Sequence, residues 1–255
     1  MNSLLRRAIV LCITLIIFAS CSDNTKTVNF IVLMDFSGSI PSQTMEWYKS
    51  VIKLDIIQNL ESNSRIVVLP VDYGSTTNST ELFYYDLTHK SFKNNYDSPI
   101  LKEKKMKQRV QVFVKNIQVE FDSVLHDVSK TRAKYSKGTD ILGGLALAQR
   151  YSYPNDKNIV LVFSDMINET EELNLDKLNS NSSILKLLEK SPKVSGGFDI
   201  IVMTGEQPNI KIKEMKLLKD FWTKYFNESQ LNLIAYETSS KSILVRKIIE
   251  YQQQN

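Results

Sequence analysis

Apolar residues in this chain come in two rhythms. Phe30–Met34, Arg65–Val71, Asn158–Phe163 and Phe198–Met203 are short, nearly unbroken runs that end abruptly in polar or glycine residues. A run without polar alternation leaves no face for water, so each predicts a strand covered on both sides, as in a parallel sheet. The second rhythm is helical. Trp47, Val51 and Leu54 with Tyr48, Ile52 and Ile56 recur every three or four residues, which predicts one helix over Pro41–Leu60, capped by Ser42 or Thr44. Val110, Phe113, Val114, Ile117, Phe121, Val124, Leu125 and Val128 keep the same period and predict a helix with one face on the sheet. Leu82–Leu87 and Leu231–Tyr236 read as further strands, and Lys213–Phe226 and Ser242–Tyr251 as further helices. Alternating strands and helices predict an α/β fold over residues 28–252: a doubly wound, mostly parallel six-stranded sheet with helices on both faces. Residues 253–255 form a tail.

The first 21 residues stand apart. Arg6 and Arg7 precede an apolar stretch, Ala8–Phe18, that is shorter than the roughly 20 residues a spanning helix needs. It ends in Phe18-Ala19-Ser20-Cys21, which resembles a bacterial lipobox, with Phe18 where that signal usually has an aliphatic residue. The resemblance implies that 1–21 is a signal peptide, that Cys21 is lipidated, and that the protein is anchored in the cell envelope, on the periplasmic face or at the cell surface. Residues 22–27 read as a polar tether, and Ser22-Asp23-Asn24 resembles a surface-export signal as much as plain spacer. Cys12 and Cys21 are the only cysteines, so residues 22–255 hold no disulfide.

Charge adds one regional feature. The formal net charge of +4, of which Arg6 and Arg7 supply two, is too small to imply nucleic acid. Residues 90–137, however, hold twelve Lys or Arg against five Asp or Glu. That segment is either a solvated helix face or a patch that meets anionic lipid or an acidic partner. Asn78, Asn168, Asn181 and Asn227 match the glycosylation pattern, which chance explains in a chain this rich in Asn and Ser and which has no role in the bacterial source that the lipobox resemblance implies.

Candidate chemistry lies at the strand ends, where an open α/β sheet binds its ligands. Asp35, Ser37 and Ser39 follow the first buried run, Thr139 and Asp140 open an apolar helical stretch with Gly143-Gly144, and Asp165 follows the fourth strand. One carboxylate and two hydroxyls in a single turn are hard oxygen donors of the kind a divalent cation prefers. Asp35-Phe36-Ser37-Gly38-Ser39 resembles the Asp-x-Ser-x-Ser signature of von Willebrand factor type A domains, with their metal ion-dependent adhesion site. The resemblance implies a Rossmann-like sheet with a short antiparallel edge strand at Leu82–Leu87. It also implies Mg2+, or Mn2+ or Ca2+, held by Asp35, Ser37, Ser39, Thr139 and Asp165. The partner would then be a protein that offers an Asp or Glu carboxylate. Asp140 either caps its helix or supports the site from behind. Met166 departs from the family, which commonly has Gly directly after this aspartate, and Glu169, Glu171 and Glu172 form an acidic rim nearby.

Two other readings compete. A metal-independent scaffold would work through another face, such as the basic segment. A metal-dependent hydrolase would need Asp35, Asp140 and Asp165 to cluster. His89 and His126 fall in a loop and on a helix face, and no phosphate-binding glycine loop is present. The sequence therefore predicts a binding module, not an enzyme.

Overall fold

The structure is a computed structural model, and it describes residues 26–75, 80–88, 99–176 and 178–253. The expected signal peptide 1–21 with Cys21, residues 22–25 of the expected tether, His89, Asn78 and residues 254–255 lie outside the described residues. No described helix is long and apolar enough to cross a membrane.

Six strands form one sheet: β1 (Val28–Asp35), β2 (Ser64–Val71), β3 (Phe83–Asp86), β4 (Lys157–Phe163), β5 (Phe198–Met203) and β6 (Asn232–Glu237). Their order is β3-β2-β1-β4-β5-β6, with every neighbouring pair parallel except β2 and β3. The central strand β1 is buried along its whole length, which is why its residues show no polar alternation. Phe30, Val32 and Met34 point into one apolar layer, and Ile31 and Leu33 into the other. The first layer is covered by α1 (Ser42–Val51), α2 (Pro99–Arg132) and α6 (Lys241–Gln253). The second is covered by α3 (Ile141–Arg150), α4 (Asn181–Lys190) and α5 (Ile212–Glu228). Chain order runs outward from β1 toward β2 on one side and from β4 on the other. The direction of winding therefore reverses between β1 and β4, and ligands of such sheets bind at that reversal.

Three expectations need correction. The stretch Pro41–Leu60 is not one regular helix: α1 passes into a π-helical turn over Ile52–Ile56 and a 3-10 turn over Ile57–Asn59. Val51, Ile52, Ile56 and Ile57 are all fully buried. A five-residue spacing cannot stay on one face of an α-helix, and the wider i→i+5 turn brings the second pair under the first. Neither Ser42 nor Thr44 caps α1. Pro41 stands at the cap, and the Thr44 hydroxyl reaches across to donate to the Glu206 carbonyl at 2.7 Å. Finally, α4 was not expected, because only Ile184 and Leu188 of its ten residues are buried.

Packing fixes how close the site elements come. A Cβ at Gly144 would meet Val71 Cγ2 at 2.9 Å, so glycine there lets α3 lie directly on β2 and β1. The α3 N-terminus is thereby held against the strand ends.

Candidate metal centre

The Asp35 carboxylate ends β1 with no exposure to solvent. Its Oδ1 accepts the Ser37 backbone N–H at 2.8 Å, a tight aspartate turn that throws the Ser37 and Ser39 hydroxyls back over the strand end. Those hydroxyls lie 2.9 Å apart, and Ser39 stands near enough to the Asp165 carboxylate to favour its charged form. Asp35 Oδ2 accepts the Ser164 hydroxyl at 2.6 Å, which joins the β1 loop to the β4 loop. In the β4 loop Asp165 Oδ1 accepts the Ile167 N–H at 3.0 Å and is nearly buried.

Thr139 comes from the loop before α3. Main-chain bonds fasten that loop on both sides: the Gly38 N–H donates to the Ser136 carbonyl at 2.7 Å, and the Glu169 N–H to the Thr139 carbonyl at 2.8 Å. Asn168 adds a side-chain stitch, its Oδ1 accepting the N–H groups of Ile141 at 2.7 Å and Leu142 at 3.2 Å. It thereby satisfies two of the N–H groups that a helix start leaves open. The sequence offered Asn168 only as a glycosylation match. Asp140 acts as the α3 cap, its Oδ1 accepting the Gly143 N–H at 2.7 Å. Its carboxylate is thus committed to the helix and does not stand with Asp35 and Asp165 as a third charge.

Met166 has φ of +68° and a fully buried side chain. The residue that departs from the expected glycine still takes the backbone conformation glycine favours. Its N–H donates to Ser164 Oγ at 3.0 Å and its carbonyl accepts Trp222 Nε1 at 2.8 Å, so the loop keeps the turn despite the side chain.

The electrostatics of these groups are lopsided. Burial, then the nearby Asp165 charge, pushes Asp35 up to about 8, against the Ser164 and Ser37 hydrogen bonds that pull it down. Burial also raises Asp165. Burial, then both carboxylates, raises the Tyr48 hydroxyl, and burial with Asp165 raises that of Tyr236. Among the described residues no Lys, Arg or His pairs with either aspartate. Thr139 Oγ1 is buried and has no hydrogen-bond partner, an arrangement that costs about 1–3 kcal/mol unless a further group satisfies it.

No family model and no curated protein matches this chain. Among solved structures it is similar to the D319A mutant of the PilB minor pilin from Streptococcus sanguinis, at 11% identity and a TM-score of 0.45. The match covers 92% of this chain and 62% of that one, so the chain spans less than two thirds of the pilin's length.

The donor set suits a hard cation. Among the described residues no three or more His, Cys, Asp or Glu side chains gather as a metal group. What gathers instead is Asp35, Asp165, Ser37 and Ser39, with Thr139 fastened alongside by main chain. Oxygen-only donors, an uncompensated pair of carboxylates and an orphaned hydroxyl fit Mg2+ or a similar ion. At the α3 cap, a cavity of about 580 Å3 has Asp140, Thr170, Glu171, Glu172 and Pro192–Ser195 among its lining residues. His126 lies away from it, exposed on α2 with its Nε2 3.2 Å from Lys130 Nζ.

Proposed function

We propose that this protein is a lipoprotein of the bacterial envelope whose von Willebrand factor type A-like, Rossmann-like domain binds a protein partner through a divalent cation. Mg2+ is the proposed ion, with Mn2+ or Ca2+ able to replace it. Asp35, Ser37, Ser39, Thr139 and Asp165 hold it, and Cys21 carries the lipid anchor. The observation that carries the reading is the buried, partnerless Thr139 hydroxyl on a loop fastened beside two buried carboxylates without a counter-charge. Such a group is costly unless something else completes it.

Each residue has a distinct part. Asp35 and Asp165 supply the negative charge, and Ser37, Ser39 and Thr139 supply neutral oxygens. Ser164 fixes the Asp35 carboxylate by donating to its Oδ2 at 2.6 Å. When bound, the ion supplies a Lewis-acidic position that accepts a carboxylate oxygen from an Asp or Glu of the partner. With only two anionic donors its charge is incompletely neutralised, which favours that third carboxylate. The same count supports a binding module over a hydrolase, because Asp140 is occupied as a helix cap. The proposed partner is a protein and not a nucleic acid.

Thermal unfolding of residues 22–255 in EDTA, then in Mg2+ or Mn2+, tests the site. At about 100 times its Kd the ion should add roughly 2.7 kcal/mol, a rise of several degrees. Ser37→Ala and Asp165→Ala should fold in EDTA and lose the rise. Stabilisation by metal that persists in both variants would sink the assignment. Fatty-acid labelling of the full chain, compared with Cys21→Ser, tests the anchor separately.

A further inference from the structure

The helix α2 is longer than the sheet it packs on. Its 34 residues span about 50 Å, whereas an eight-residue strand such as β1 spans about 26 Å. Arg132 pins its C-terminal end to Asp72, just past β2, so the excess length lies at the opposite, N-terminal edge of the sheet. Burial agrees with this. Met106 is the first described α2 residue to pack on the core and Val110 the first to be buried, whereas Ile100, Leu101, Lys104 and Lys105 before them are exposed.

This overhang sits where the chain enters the sheet. Asn63 Nδ2 donates to the Lys26 carbonyl at 3.1 Å, and Glu61 shares a cavity of about 390 Å3 with Met106 and Lys107. Lys26 lies five chain steps from Cys21, and a chain that length reaches at most about 18 Å. A lipid on Cys21 therefore keeps this edge close to a bilayer.

The outer side of α2 has an unusual composition for a solvated helix. Leu101, Val112 and Val119 are 52%, 61% and 71% exposed. Their spacing places them on one line of the helix, with Lys105 and Lys115 along it and Lys104 and Arg109 beside it. From Pro99 to Lys115 the chain has six Lys or Arg and one acidic residue, Glu103. Water has no use for the three apolar side chains, and an acidic protein surface would need only the charges. An anionic bilayer surface uses both, the amines at the headgroups and the apolar tips at the acyl boundary.

We propose that the outer face of α2, from Leu101 to Val119, docks on an anionic lipid bilayer. It is a second membrane contact beside the lipid on Cys21. One acyl signal combined with a basic patch holds a protein on a membrane far more firmly than either alone. The proposal leans on the anchored reading above only for proximity, and its own surface is testable without a lipid.

Residues 22–255, unlipidated and in EDTA, are sedimented with vesicles of phosphatidylcholine alone or of equal parts phosphatidylcholine and phosphatidylglycerol. Binding is expected only to the second kind, and high salt should weaken it. Replacing Lys104, Lys105 and Arg109 together by Ala should lower the partition coefficient on the order of a hundredfold. The double variant Leu101→Ser with Val112→Ser, which keeps every charge, should lower it about tenfold. All these positions are exposed, and an unchanged melting temperature confirms that each variant folds. No binding by the parent protein, or equal binding by the charge variant, overturns the proposal. Binding that the Leu101/Val112 variant retains in full also overturns it, because the apolar tips would then take no part in docking. A chain that fails to take up fatty acid at Cys21 would refute the anchor and leave this outcome readable.

Discussion

Asp72 and Asp35 follow neighbouring parallel strands at the same edge of the sheet, and the protein treats them in opposite ways. Arg132 grips Asp72 with two bonds of 2.6 Å, and both side chains are buried. The guanidinium also lies 4.9 Å over the Tyr135 ring. Asp35, beside it, has hydroxyl and N–H donors but no cation among the described residues, and a second buried carboxylate for a neighbour. The chain can thus neutralise a buried acid at this edge when structure alone is required. One strand away, among the described residues, the Asp35 and Asp165 pair is left without a cation, and the proposed ion would supply the charge that Arg132 supplies to Asp72.

The contrast can be broken most forcefully at Asp72. Arg132→Met would strand a buried carboxylate and should cost about 3–5 kcal/mol in urea unfolding, with or without metal. A loss below 1 kcal/mol would mean that the ion pair is not what holds this edge. At Asp35 the sharper probe is Ser164→Ala, which removes no proposed donor but frees the carboxylate. Calorimetric titration should show Mg2+ affinity about 10–100-fold weaker, and unchanged affinity would exclude Ser164 as the residue that orients Asp35.

The two edges should also differ in pH response. A carboxyl whose folded pKa is raised binds more protons folded than unfolded, so stability falls as pH climbs from about 4 toward the folded value. For Asp35 that window closes at about 8. Metal-free protein should therefore lose stability across this range, by at most about 1.4 kcal/mol per pH unit for the group, and Mg2+ should flatten the curve. Asp86 at the other edge behaves in the opposite sense. Its burial is outweighed by Thr88 and Arg65, its pKa is lowered, and its contribution is lost only as pH falls through that depressed value. A metal-free curve that does not decline toward pH 8 would contradict the lopsided site. The smallest effect is expected at Met166, where φ is positive. Met166→Gly should be more stable than Met166→Ala by about 1 kcal/mol, the reverse of the usual order for these two residues.

What the sequence made legible follows from how each feature is encoded. The strand cores are visible because a strand covered on both faces must be apolar throughout, and the site loops are visible because polar residues interrupt those runs at once. Asp35, Ser37, Ser39 and Asp165 are brought together by that topology alone. The roles of Ser164 and Asn168 stayed hidden, since each depends on a bond to a residue 129 or 27 positions away. The Asp72–Arg132 pair, 60 positions apart, looked like a turn residue and one more positive charge on a basic helix. The π-helical turn was masked by a period that serves equally for an α-helix until the fifth residue.

One feature of the loops bears on inheritance. The Gly38–Ser136 and Glu169–Thr139 links are made by main chain, so no substitution other than proline removes their donors and acceptors. The framework that spaces the loops is passed on with the fold, whereas each donor side chain depends on a single codon. If the proposed cation is bound, a descendant could lose it in one substitution and keep the cradle, and such a lineage would be recognised by its loop register after every donor had drifted.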